Sequence, residues 1–400
     1  MRAGAMAQTA SMTSGVNPLR GGSTTTASGR SPLLASSAAA CPASAKTLSA
    51  AEQMDISFAK QVSCRPGEFL AQSDWIPAGI SVSDWLAFTL AVSGVKEAYD
   101  VYLKELERYV SEKYAAEGSL SSVMATEYHR IALTVLALGG DPRSFGRDAD
   151  GHPVDLIADS TWGFAPGVDK QGINGVIYAL IALDARGYAT PEGSGFDREF
   201  LLETLAERQA ENGGFGLIPG SEDVDITAMA LTALAPYRDR HPETVERAIG
   251  FLASQLSDNG TYVSFRAENA ESVSQVIIAL CTLGIDPAED GRFIRNGRTL
   301  LDTLDGFRLE SGTYSHVLGD TCDPMATEQA VLALTALDRL RTGGDPIYDF
   351  TNYTLATGNS GGMSSGRIAL IAGAAVVAAA VVIAFIIVGK RRKADADTDK

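Results

Sequence analysis

Basic residues are scarce in this chain: 33 Lys and Arg stand against 49 Asp and Glu, a formal net charge of −16. No basic stripe breaks that balance in the body of the sequence, which argues against a nucleic-acid partner. Cysteine is also sparse. Cys41, Cys64, Cys281 and Cys322 are widely separated with no Cys-x-x-Cys pair, so neither a disulfide framework nor a metal ligand set is indicated. Cys281 lies in an apolar helical run and reads as a buried free thiol. Histidine occurs four times, and neither a metal nor another cofactor is expected. Asp148-Ala-Asp150-Gly151 lacks the spaced ligands of a calcium loop and reads as a solvated turn. Aromatic residues make up 7%, a shortage that bears on any chemistry needing aromatic walls. The N-terminal stretch lacks apolar periodicity and is rich in Ala, Ser, Thr and Gly; residues 1–65 are expected to be low-complexity and disordered.

Charge is missing altogether from Ile368 to Val388, 21 residues without a strong polar group. At about 1.5 Å per residue such a helix spans roughly 31 Å, the thickness of a bilayer core. Lys390, Arg391, Arg392 and Lys393 follow it, against Arg367 alone on the other side. A transmembrane helix over 367–389 is therefore expected, with a cytoplasmic tail at 390–400 and the rest of the chain across the membrane. No clear export signal precedes it. Residues 30–41 have only a short, weak apolar core.

What is present between these ends is a repeat. Apolar runs at 131–138, 176–183, 228–234, 276–283 and 330–337 end in leucines 45, 51, 49 and 54 residues apart. A weaker sixth run, 85–92, ends 46 residues before the first. A helix apolar on all sides belongs inside a protein. Amphipathic stretches at 96–113, 197–210, 242–256 and about 296–304 alternate with these runs and read as surface helices. Six such pairs closing on themselves form an all-α double ring, an α/α toroid over 66–345, followed by a flexible linker at 346–366. The twelfth helix is not evident after Leu340. A second repeat keeps step: Gln209-x3-Gly213-x-Phe215, then Gln255 with Gly260 and Tyr262, then Gly312 with Tyr314. Each places Gly at a helix end where a left-handed cap is needed, and an aromatic two residues on.

Gln-x3-Gly-x-Phe resembles the glutamine/aromatic repeat of squalene and hopene cyclases. Asp223-Val-Asp225-Ile-Thr-Ala resembles their Asp-x-Asp-Asp-Thr-Ala acid motif, with Ile226 at the third acid. Gln171-Gly-Ile-Asn-Gly175, Ile181-Ala-Leu-Asp184 and Met325-Ala-Thr-Glu-Gln329 are similar to bacterial surface proteins built on one terpene-cyclase/prenyltransferase-like toroid. The resemblance covers roughly residues 80–340. It implies the toroid fold, Asp225 as a proton-donating acid with Asp223 beside it, and a carbocation cascade from an alkene or epoxide. Asp320-Thr-Cys322 resembles the zinc ligands of protein prenyltransferases, but the downstream His is missing.

Counting nine positions back from the end of each apolar run gives Ser83, His129, Asn174, Asp225, Ser274 and Glu328. All six are polar near a helix entry. They are expected either to cap the helices or to form a ring at one mouth of the cavity. With Tyr178, five of them (His129, Asn174, Asp225, Ser274 and Glu328) form the predicted ligand cavity. The inner helices offer few aromatic faces beyond Trp85, Phe88 and Tyr178, and the cyclases pair two helical domains where this chain has room for one. The reading so favoured is a membrane-anchored surface toroid that binds a small hydrophobic or cofactor-like ligand, or a surface partner, without turnover. The alternatives are a terpene-cyclase- or mutase-like enzyme with an Asp general acid, and a structural adhesion module.

Overall fold

A computed structural model of the chain describes residues 48–264 and 266–356. Its helices are α1 (Ala50–Gln61), α2 (Ser81–Val92), α3 (Tyr99–Glu117), α4 (Ala125–Ala137), α5 (Leu156–Ser160) and α6 (Ile173–Asp184). They continue with α7 (Arg198–Glu207), α8 (Val224–Leu234), α9 (Pro242–Gln255), α10 (Ala270–Thr282), α11 (Leu300–Gly306) and α12 (Pro324–Thr342). The even-numbered helices carry the apolar runs and form the inner layer. They pack in sequence order, α2 on α4 through to α10 on α12, and α12 returns to α2. The ring is closed, as the six-fold repeat predicts.

Inner helices are buried on nearly every side. Ile173, Val176, Ile177, Ala179, Leu180, Ala182 and Leu183 of α6 are inaccessible. Each buried Leu or Ile of this kind contributes about 1.5–3 kcal/mol. Outer helices bury one stripe. In α3 it is Tyr99, Tyr102, Leu106, Val110 and Tyr114, at the three- and four-residue spacing of one helix face.

The Gly-x-aromatic repeat has a structural account. Short hairpins lead into α8 (β1, Phe215–Gly216, with β2, Glu222–Asp223) and into α10 (β3, Val263–Ser264, with β4, Ala267–Glu268). Phe215, Tyr262 and Tyr314 are buried. The Phe215 amide donates to the Thr227 hydroxyl at 2.9 Å, and the Tyr314 amide donates to the Thr327 hydroxyl at 2.9 Å. The repeated Thr thus ties the aromatic to the next inner helix. Gln209 Nε2 donates to the carbonyls of Gly213 and Thr244 at 2.9 and 2.8 Å, joining the turn to α9.

Two boundaries differ from expectation. Residues 48–61 were placed in a disordered segment but supply the missing twelfth helix. A reciprocal Ser49–Glu52 capping box starts α1, and Met54 and Phe58 bury it on the outside of α12 and α2. Within the predicted linker at 346–366, the described residues 346–356 pack against the ring. Ile347 and Phe350 are buried, the Phe350 amide donates to the Ala185 carbonyl at 2.8 Å, and the Tyr353 hydroxyl donates to the carbonyls of Ala91 and Ala137. This strap crosses the C-terminal ends of α2, α4 and α6. Its anchors follow neither helix nor strand period, so periodicity could not find them. The apolar segment 368–388 lies outside the described residues, and among the described residues no helix is long and apolar enough to cross a membrane.

Candidate functional site

The inner helices enclose a chamber that opens at their N-terminal ends. One lobe of about 170 Å³ is lined by Trp85 of α2, Tyr178 of α6, Gln275 of α10, and Glu328 and Leu332 of α12, with Tyr348 of the strap reaching in. An adjoining lobe of about 250 Å³ shares Trp85, Tyr178 and Met229 and reaches Asn174 and Thr126. The apolar side chains Val82, Met124 and Met325 stand exposed beside the mouth.

A register runs through these positions. Helices α8, α10 and α12 start at side-chain N-caps, Asp223, Asn269 and Asp323, while α4 and α6 follow Met124 and Gly172. Six residues beyond each lie Arg130, Tyr178, Met229, Gln275 and Gln329, all on the chamber wall. Two residues beyond lie Thr126, Asn174, Asp225, Glu271 and Met325, at the rim. Counting from the final leucines matches this rim register in α6 and α8 but lands three residues deeper in α4, α10 and α12.

The expected ring is accordingly divided. Asn174 and Glu328 reach the chamber, as does Tyr178, whose hydroxyl lies 3.9 Å from Met229 Sδ. His129 faces the outer layer: its Nε2 bonds the Ser160 carbonyl at 2.8 Å, and burial lowers its pKa to about 3, leaving a neutral imidazole. Ser274 donates to the Ala270 carbonyl of its own helix at 2.7 Å, and Ser83 is buried without lining either lobe. These three are taken up by the packing of the helices and line neither lobe.

Asp223 caps α8, its Oδ1 accepting the amides of Asp225 and Ile226 at 2.8 and 3.2 Å. Asp323 does the same for α12. Asp225 turns toward α10 and lines neither lobe of the chamber. Burial raises its carboxyl above the usual range; the Ser272 hydroxyl opposes this and the Asp223 charge adds to it. Asp225 Oδ1 is buried without a hydrogen-bond partner. Glu328 stands in the chamber itself. Its Oε1 accepts the Thr89 hydroxyl at 2.5 Å, and burial pushes its pKa up to about 8 against that bond.

Around Glu328 the scarce aromatics converge. Trp85 lies edge-on to Phe88 at 5.4 Å and 6.1 Å from Tyr178, and Phe88 stacks on Tyr348 at 5.5 Å between centroids. Sequence reasoning counted aromatics helix by helix and missed that the few present share one wall. It also missed Tyr348, Met229, Gln275 and Gln329, the last two hydrogen-bonded at 3.1 Å. The count of six from each helix start would have found all but Tyr348. The Asp320–Cys322 loop gathers no ligand set: His316 pairs with Glu271 at 2.9 Å, and among the described residues no three His, Cys, Asp or Glu stand together to hold a metal.

No protein-family model matches the chain. A drimenyl diphosphate synthase of Streptomyces showdoensis is 25% identical over 252 residues, covering 60% of this chain and 46% of that protein. A second, from Streptantibioticus cattleyicolor, is 26% identical over 203 residues, covering 50% and 36%. The chain thus spans less than half the length of these curated relatives. They overturn the expectation of a domain that binds without turnover, because they are terpene-cyclase-like enzymes. Candida albicans protein geranylgeranyltransferase-I, solved with GGPP, superposes with a TM-score of 0.50 at 12% identity, covering 75% of this chain and 95% of that one. With its ring closed and its repeats accounted for, the chain is a terpene cyclase/prenyltransferase-like α/α toroid.

Proposed function

We propose that this protein is a terpene-cyclase-like enzyme that isomerises an isoprenoid diphosphate by protonating one of its double bonds. The observation that carries this reading is the chamber: a buried carboxyl facing Trp85, Tyr178 and Tyr348 inside a closed ring. A carboxylic acid transfers its proton to an alkene carbon, the π pair becomes the new C–H bond, and the neighbouring carbon is left cationic. A second double bond closes the ring by donating its π pair to that cation. Loss of a proton beside the final cation gives a cyclic alkene, so the overall change is an isomerisation. Aromatic faces attract such cations by about 0.5–2 kcal/mol each, and Trp85, Tyr178 and Tyr348 stand where a cation formed beside Glu328 would meet them.

Two carboxyls are available to start the reaction. The motif resemblance nominates Asp225, with Asp223 holding the helix entry and adding its negative charge. Glu328 is the second, favoured by its place on the chamber wall. The names of the curated relatives support a diphosphate-bearing isoprenoid as the substrate. A membrane anchor at 368–388 would keep the enzyme beside a lipid supply. Incubating the full chain with linear polyprenyl diphosphates of graded length and analysing extracts for cyclic isomers tests the proposal. Cyclic product is expected, and recovery of every substrate unchanged would refute it.

A further inference from the structure

Resting on that reading, the geometry points to Glu328, not Asp225, as the acid that delivers the proton to the substrate. Three observations carry this. The first is position. Glu328 lines the chamber together with Trp85, Tyr178 and Tyr348, whereas Asp225 is turned into the seam between α8 and α10 and lines neither lobe. An acid must come within hydrogen-bond reach of the atom it protonates, and a cation formed in the chamber arises beside the aromatic wall only if the proton arrives there.

The second is how Glu328 is held. Three other buried carboxyls of the ring each take two or more donors, whereas Asp225 Oδ1 has none. Asp84 takes Arg130 Nε at 2.9 Å, the Tyr102 hydroxyl at 2.7 Å and the Gly79 amide at 3.0 Å. Glu97 takes the Phe69 and Leu70 amides. Asp184 takes Arg198 Nε and the Tyr237 hydroxyl. Glu328 has the Thr89 hydroxyl on Oε1 and, among the described residues, no further hydrogen bond and no cation acting on it. A carboxyl so placed keeps its proton. With Oε1 occupied as an acceptor, the proton sits on Oε2.

The third is what surrounds it. The titratable groups facing Glu328 are Tyr178 from α6 and Tyr348 from the strap, and burial raises both phenols, Tyr178 to about 12 and Tyr348 well above its ordinary value. From α10 the wall group is the neutral Gln275, and Glu271, at the rim, is engaged by His316. From α2, Thr89 is the contact. Neither phenol competes as a donor or supplies a charge near neutral pH. In the reaction, Oε2–H gives its proton to the alkene, the Thr89 hydroxyl stays on the resulting carboxylate, and the proton lost from the cyclised cation returns to that carboxylate. Atoms and electrons balance without a co-reactant.

The test compares wild type, Glu328→Gln, Glu328→Asp and Asp225→Asn on the polyprenyl diphosphate that wild type converts best, with thermal melts confirming folding. Glu328→Gln should lower cyclic product formation by about 100-fold or more. Glu328→Asp, which restores the proton one methylene short, should recover part of it. Wild-type turnover should decline as pH rises past about 8. Turnover by folded Glu328→Gln within about threefold of wild type, with Asp225→Asn inactive, would overturn the assignment and leave the cyclase reading standing. No cyclic product from wild type would remove both.

Discussion

Thr89 of α2 and Glu328 of α12 meet at 2.5 Å across the seam where the ring closes, 239 residues apart in the chain. The same seam is tied by the Ser93 and Thr335 hydroxyls at 2.7 Å and by Arg339, which donates to the Val92 carbonyl at 2.7 Å. The first of these contacts both closes the fold and sets the chemistry of the chamber's carboxyl.

Thr89 is a positioning residue, and its removal should register in the pH profile. The hydroxyl favours the ionised form of Glu328, so Thr89→Val should move the falling limb of the pH–rate curve to higher pH. Losing one hydrogen bond should lower stability by only about 1 kcal/mol. A purely structural hydroxyl would leave the limb where it is.

Glu328 also makes stability depend on pH. Below its ordinary value of 4.5 both folded and unfolded chains hold the proton. Between 4.5 and about 8 the unfolded chain has released it and the folded chain keeps it. Stability therefore falls as pH rises through that window. Glu328→Gln cannot ionise, so its Tm should exceed that of wild type at pH 8 and match it near pH 4. Calorimetry at the two pH values checks both the sign and the window.

The ion pair between Arg130 and Asp84 joins α4 to α2, and both side chains are buried. Arg130 also donates to the Gly79 carbonyl and contacts Glu127. Arg130→Met should cost about 3–5 kcal/mol by leaving Asp84 buried without its cation. Urea unfolding measures this, and a cost below about 1 kcal/mol would mean that the pair is solvated in solution.

Gly213 of the Gln-x3-Gly-x-Phe repeat has a φ of +89°, and a Cβ there would strike the Arg247 carbonyl. Gly213→Ala should destabilise the domain by more than about 1 kcal/mol through both effects. Ala at Gly220, also at positive φ but with open space around it, should be milder. Equal midpoint shifts in urea for the two would show that steric contact adds nothing to backbone strain.

The fold was legible because one helical pair recurs, and apolar runs ending in Leu138, Leu183, Leu234, Leu283 and Leu337 repeat at nearly fixed intervals. The site was legible only in part, because a leucine marks how a helix ends whereas the chamber is indexed to how it begins. Asp223, Asn269 and Asp323 hold that second register in their cap bonds. Glu328 was found by a count one turn too deep, which brought it to the wall instead of the rim. Phe58 of α1 and Tyr348 of the strap gave no periodic signal, since each is fixed by tertiary packing from outside the repeats.

The most direct test of proton-initiated cyclisation is the mass of the product formed in D2O. The full chain, equilibrated in D2O and given an unlabelled polyprenyl diphosphate, should yield a cyclic isomer carrying one deuterium, placed on the carbon that received the proton from the chamber. Cyclic product free of deuterium would contradict protonation by an exchangeable carboxyl.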